Sequence, residues 1–215
     1  MRAAPILYGG FPLRFAWLVF GLFLCACGVA CFLESELGLP PWDVLHQGLA
    51  EQTRLSFGAA NIAVSLVVIA IAAALRARIG LGTVLNATLI GTFVIGLTAI
   101  DAVDELSESA LPGRIALMLF ALVLFGVGSA LYIGADLGAG PRDTLMVVIS
   151  QRSHVRLGVS RTAIEIVALA LGVVLGGTVG VGTLVFALGI GPSVEVSFRL
   201  LARTPLAMPE VASAA

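Results

Sequence analysis

The chain has no lysine, and only 12% of its 215 residues are charged. A soluble domain carries about 25% charged residues, so this sequence lacks the polar surface that water would require. Its net charge of -1 gives no basis for a nucleic-acid partner. The two histidines, His46 and His154, are isolated from any cysteine or acid at a recognised catalytic spacing. The three cysteines, Cys25, Cys27 and Cys31, fall in one apolar run with no second ligand pair near them. They read as small packing residues, and no metal site is expected. Nucleophile triads, phosphate loops and nucleotide fingerprints are missing too, so no catalytic residue and no cofactor are expected. The chain is not read as an enzyme, although a membrane-embedded site assembled from scattered residues stays open.

What the sequence does have is apolar length: 59% hydrophobic residues and a mean hydropathy of +1.08. No charge falls between Arg14 and Glu34, Arg54 and Arg76, Arg78 and Asp101, or Arg114 and Asp136. Each interval has room for the roughly 20 apolar residues that cross a bilayer. This is an integral membrane protein, with the lipid bilayer as its first partner. Apolar segments lie at 13–33, 58–75, 80–100, 113–135, 158–176 and 180–200. The first reaches no small-residue cleavage site and is read as a retained span.

The order within these segments repeats. Residues 36–45, Glu-Leu-Gly-Leu-Pro-Pro-Trp-Asp-Val-Leu, return at 136–145 as Asp-Leu-Gly-Ala-Gly-Pro-Arg-Asp-Thr-Leu. At the same offset of 100, Pro12, Gly28, Gly58, Gly80, Gly82, Thr83 and Gly91 meet Pro112, Gly128, Gly158, Gly180, Gly182, Thr183 and Gly191. Apolar composition alone does not align glycines and prolines, which punctuate the backbone, so the repeat is real. Residues 11–100 form the first copy and 111–200 the second, within a single membrane domain over 1–215. Three spans per copy is an odd number, so the second copy enters the membrane inverted. Arginine tests this: Arg2, Arg14, Arg76, Arg78, Arg142, Arg152, Arg156, Arg161, Arg199 and Arg203 fall on one side, and only Arg54 and Arg114 on the other. That bias places both termini in the cytoplasm. The fold class expected is all-α: a polytopic membrane protein of six transmembrane helices in a 3+3 inverted repeat.

Between the first and second spans of each copy lies a short segment, 41–54 or 141–154, too short to cross. Pro41 and Pro141 pre-set a helix start, and Asp43 and Asp143 lie over its unpaired N–H groups, where the helix dipole favours an anion. Two readings stay open for these connectors. One is an amphipathic helix at the interface with Trp42 as a belt residue. The other is a re-entrant half-helix whose start meets a solute. The second reading makes Pro41, Trp42, Asp43, His46, Pro141, Arg142, Asp143 and the deep Asn86 candidates for binding or gating. Glu165 and Glu195 are intramembrane acids, which mark a pathway or a pair. Arg161 and Arg199 stand four residues away as helical partners, and the four residues are candidate ion-coupling groups. Gly172, Gly176 and Gly180, at four-residue spacing, read as close helix packing, and Asn61 as an interhelical bond.

The run Leu-Gly-x-x-Pro-Trp-Asp-Val-Leu-His-Gln-Gly-Leu over 37–49 resembles the YczE/YyaS/YitT family of bacterial membrane proteins. The resemblance covers most of the chain, with Arg142 departing from the tryptophan of the motif. It implies a multi-pass protein of the bacterial inner membrane, and it brings no biochemical activity with it. The functional expectation is a secondary transporter of a small, anionic solute, by alternating access between the two repeats. A non-catalytic membrane scaffold is the alternative. Substrate, coupling ion and oligomeric state are not legible.

Overall fold

Seven of the eight principal helices open with a glycine or serine cap or a proline in the first turn; the helix from Leu157 follows Arg156. A computed structural model describes residues 6–207; Arg2 of the charge argument lies outside them. The long helices are α1 Phe11–Ser35, α3 Phe57–Ala74, α4 Leu81–Thr98, α6 Leu111–Gly134, α8 Leu157–Val174 and α9 Val181–Leu201, with α2 Pro41–Gln52 and α7 Pro141–Ser153 as connectors. A short α5, Asp101–Asp104, and a 3-10 turn, Glu105–Glu108, join the copies. Five helices, α1, α3, α4, α6 and α9, are long and apolar enough to cross a membrane. The connectors have 12 and 13 residues, roughly 18–20 Å at 1.5 Å per residue, and fall short of that thickness.

Helix positions recur along the chain at an offset of 100. The eight principal helices start at 11, 41, 57 and 81 and again at 111, 141, 157 and 181. Left-handed residues recur at Glu36 and Asp136, Gly38 and Gly138, and Arg76 and Gly176. Thr83 and Thr183 accept from the amides of Gly80 and Gly180, each at 3.3 Å, capping α4 and α9 alike. Gly176 turns the chain after α8 ends, and Gly180 precedes α9. The spacing of Gly172, Gly176 and Gly180 is therefore not a stripe on one helix, a correction to that reading. Of the three only Gly172 lies in a helix, where its missing side chain admits the backbone of Leu45.

Contacts between the copies come in exchanged pairs. α1 and α6 cross antiparallel, with Gly21 on the carbonyl of Gly128 and Gly28 against that of Ala121. Arg14 Nε donates to Ala135 O at 2.7 Å and its Nη2 pairs with Asp136 at 3.0 Å. Arg114 Nε donates to Ser35 O at 2.7 Å and its Nη2 pairs with Glu36 at 3.0 Å. Each guanidinium thus closes the C-terminal carbonyls of the other copy's first helix, where a cation complements the dipole. The amide of Gly182 donates to Leu37 O and that of Gly82 to Leu137 O, both at 2.7 Å.

One exchange fails. α3 packs along α4, and a methyl placed on Gly58 would run into the carbonyl of Gly91, as one on Gly91 would into that of Gly58. Their counterparts α8 and α9 make no comparable contact, and a methyl on Gly158 or Gly191 would meet nothing within 4 Å.

Candidate functional site

Pro40 and Pro41 open α2 and Gly140 and Pro141 open α7; all four are buried, whereas the far ends at Gln52 and Ser153 are exposed. Each connector packs on a long helix of the opposite copy, α2 on α8 and α7 on α3. Gln52 Nε2 donates to Leu175 O at 3.0 Å, and Arg152 Nε to Leu75 O at 3.1 Å, pinning the two outer ends in the same exchanged way. The helix starts therefore point inward. The interfacial reading, with polar residues on an outward face, does not hold for α2, whose Asp43 and His46 are buried to 1% and 0% exposure.

The two starts meet. Arg142, second residue of α7, lays its guanidinium 5.0 Å over the Trp42 ring, and its Nη2 is 3.8 Å from Asp43 Oδ1. Cation–π attraction and the carboxylate hold the same side chain. Trp42 packs with Leu145 and Val148 of α7 and Val68 and Ala72 of α3. Behind Arg142, Asp43 Oδ1 lies 3.0 Å from His46 Nδ1, and Asn61 Nδ2 is 3.2 Å from the same nitrogen. The edge of Phe57 closes the far side of the imidazole. Asp43 Oδ2, His46 Nε2 and Trp42 Nε1 have no hydrogen-bond partner among the described residues. The second copy is built differently: Asp143 Oδ2 accepts from Tyr132 OH at 3.2 Å, and Thr144 Oγ1 donates to Ala139 O at 3.4 Å.

A cavity of about 1820 Å³ lies between the copies. It reaches from Tyr8, Arg203 and Thr204 at the termini to the helix starts, and residues of both α8 and α9 line it. Pro41, Trp42, Asn86, Pro141, Arg142 and Asp143 line it, as do Arg161, Glu165, Glu195 and Arg199. Of the twelve candidate binding, gating and coupling residues, Asp43 and His46 are the two off its wall. Glu165 is bound to Arg161 at 3.1 Å and half-buried; Glu195 is paired with Arg199, and both are well exposed. Tyr132, Ser65 and Ser129 also line the cavity. Sequence reasoning missed them. A lone tyrosine in the sixth helix was the one available signal, since its counterpart in the first copy is Phe32.

Helices of this length and hydropathy around a mostly apolar cavity with a few polar groups define a polytopic helical membrane protein. The chain belongs to a family of unknown function, DUF6198, whose model matches residues 12–199. It is 41% identical over 188 residues to an uncharacterized protein of Haemophilus influenzae, covering 87% of this chain and 84% of that one. It is 32% identical over 181 residues to the uncharacterized membrane protein YczE of Bacillus subtilis, covering 83% and 82%. Identity to the uncharacterized protein YyaS of Bacillus subtilis is 24% over 172 residues, covering 80% and 86%. No solved structure matches the chain.

Proposed function

We propose that this protein is a secondary transporter of a small anionic solute in the bacterial inner membrane, working by alternating access. In this reading α8 is the sixth span, each copy crosses three times, and the second copy is inverted. α2 and α7 are then re-entrant half-helices whose starts meet at the middle of the bilayer, the arrangement that inverted-repeat transporters use to face a solute. Both termini lie in the cytoplasm by the arginine bias, so the cavity opens inward.

The observation that carries the proposal is the broken exchange between α3–α4 and α8–α9. Two copies of one sequence plan are found in two arrangements, one closed at Gly58 and Gly91 and one open at Gly158 and Gly191. Swapping those arrangements closes the cavity on one side and opens it on the other. A scaffold has no use for a gap of this size on one side of a symmetric frame, and the cavity favours transport over it. Pro192, inside α9 beside Gly191, removes one helix hydrogen bond where α9 must move.

The test is uptake by protein reconstituted in liposomes with a mixed pool of small metabolites. Gly158→Leu and Gly191→Leu, which fill open space in the present state, should keep the fold and abolish uptake. No uptake of any solute by the parent protein would sink transport; full uptake by both leucine variants would sink closure at this gap.

A further inference from the structure

The structure assigns a proton-coupled anion site to Arg142, Asp43 and His46: an anion of the solute takes Arg142 from Asp43, and the Asp43–His46 pair takes up one proton in its place. This rests on the transport reading of the cavity and deepens it.

Arg142 stands on the boundary between two environments. Its side chain is 31% exposed and lines the cavity, whereas Asp43 behind it is 1% exposed and does not. The Arg142–Asp43 distance of 3.8 Å is a loose ion pair, not a bidentate fork, so the guanidinium keeps donors free for an oxyanion from the cavity. The same guanidinium lies 5.0 Å over the Trp42 ring, which also holds it. When a solute carboxylate or similar monoanion engages it, Asp43 loses its countercharge in a buried place. A lone buried carboxylate is strongly disfavoured, and a proton restores neutrality. Before binding, Arg142 and Asp43 sum to zero; afterwards, Arg142, the solute anion, Asp43 and one proton again sum to zero. Loading therefore leaves the net charge of the site unchanged.

The three heavy atoms behind Arg142 accept both proton states. His46 Nδ1 is approached by Asp43 Oδ1 and by the Asn61 amide. Before uptake, Nδ1–H donates to the Asp43 carboxylate, Asn61 turns its oxygen to the same nitrogen, and Nε2 is bare. The added proton sits on Nε2, which has no hydrogen-bond partner among the described residues, and the resulting imidazolium neutralises Asp43. The other ionisable groups around the site each have a partner or stand apart from Asp43. α3 contributes Asn61 and Ser65; α8 contributes Glu165, already held by Arg161; α7 contributes Asp143, held by Tyr132 of α6 beyond Arg142; and α1 contributes the thiol of Cys25, within reach of Arg142. Sequence reading pointed to Glu165 and Glu195 for coupling, but each has its own arginine on its own helix.

Trp42 gives a direct readout, because Arg142 stacks on it. In detergent-solubilised W17F protein, Trp42 fluorescence is titrated from about pH 5.5 to 8.5 with benzoate, lactate and methanesulfonate, which stay ionised throughout. Expected are saturable shifts by at least one anion, with Kd rising up to about tenfold per pH unit above the pKa of the pair. In weak buffer, about one proton should be taken up per anion bound. D43N should flatten the pH dependence and E165Q should leave it intact; R142Q should remove binding. The proton count needs no variant, so misfolding of D43N would not decide the matter. Binding with no proton uptake overturns the inference, as does the absence of a shift with all three anions or an unchanged slope in D43N. Proton-linked binding without uptake in liposomes would sink the transport reading and leave this site standing.

Discussion

Two single methyl groups, placed at positions related by the repeat, should push the protein in opposite directions. In Gly58→Ala the new Cβ meets the carbonyl of Gly91, whereas in Gly158→Ala it meets nothing within 4 Å. Overpacking of this kind costs about 1–3 kcal/mol. The gain in helix propensity, up to about 1 kcal/mol for glycine to alanine, applies to both states of a moving protein and cancels from their ratio. Gly58→Ala should therefore favour the state with α3 and α4 apart by about 5- to 150-fold, since 1.4 kcal/mol is tenfold. Gly158→Ala should disfavour that state by a similar factor. The reporter is an N86C thiol in a C25A/C27A/C31A background. Asn86 and its counterpart Phe186 both border the cavity, so position 86 is reached from whichever side is open. Labelling by an impermeant reagent from the arginine-poor side should accelerate with Gly58→Ala and slow with Gly158→Ala. If Gly58→Ala only lowers the melting temperature and neither variant alters labelling from that side, the two arrangements do not exchange and the reasoning fails.

Three further outcomes are expected. Arg14→Gln and Arg114→Gln remove equivalent charged hydrogen bonds to helix ends, each worth about 1.5–3 kcal/mol; thermal unfolding should fall by roughly 3–12 °C for both, and a loss confined to one would contradict the exchanged contacts. Reporter fusions after residues 78, 108 and 203 should read cytoplasmic, external and cytoplasmic, and any other order sinks the six-span topology. Asn61→Leu leaves His46 Nδ1 with one partner in place of two; it should weaken the pH dependence of uptake while the protein stays folded, and an unaltered pH profile would remove Asn61 from the account.

Much of the frame was legible in the sequence because glycine and proline act locally. Pro41 and Pro141 mark helix starts to the residue, and Gly38 and Gly138 do adopt positive φ, at 104° and 127°. Glu36 and Asp136 also take left-handed conformations, which no preference for glycine announces; they follow from helix ends held by Arg114 and Arg14. The inward aim of α2 was not decidable, since its Asp43–His46 face reads equally as a wet surface or a buried polar cluster. Only Asn61 and Arg142, 15 and 96 positions further along the chain from His46, make it the latter. The joining segment around Asp101–Glu108 carries no apolar period, and its short helices were not foreseen. Nor was the gap between α8 and α9, because Gly158 and Gly191 match Gly58 and Gly91 in the sequence, and identical residues cannot say which pair is closed.

The central claim is that the two copies exchange arrangements, and pulsed electron–electron resonance in liposomes measures that directly. Spin labels at 155 and 196 report the open ends of α8 and α9, and labels at 55 and 96 report their closed counterparts. All four positions are exposed, and a side chain at Gly96 meets nothing within 4 Å. Two distances are predicted for each pair, a long major component at 155/196 matched by a short major component at 55/96. The minor fractions should be equal and move together when pH or a bound anion is changed. A single distance for each pair, unmoved under every condition, would contradict exchange.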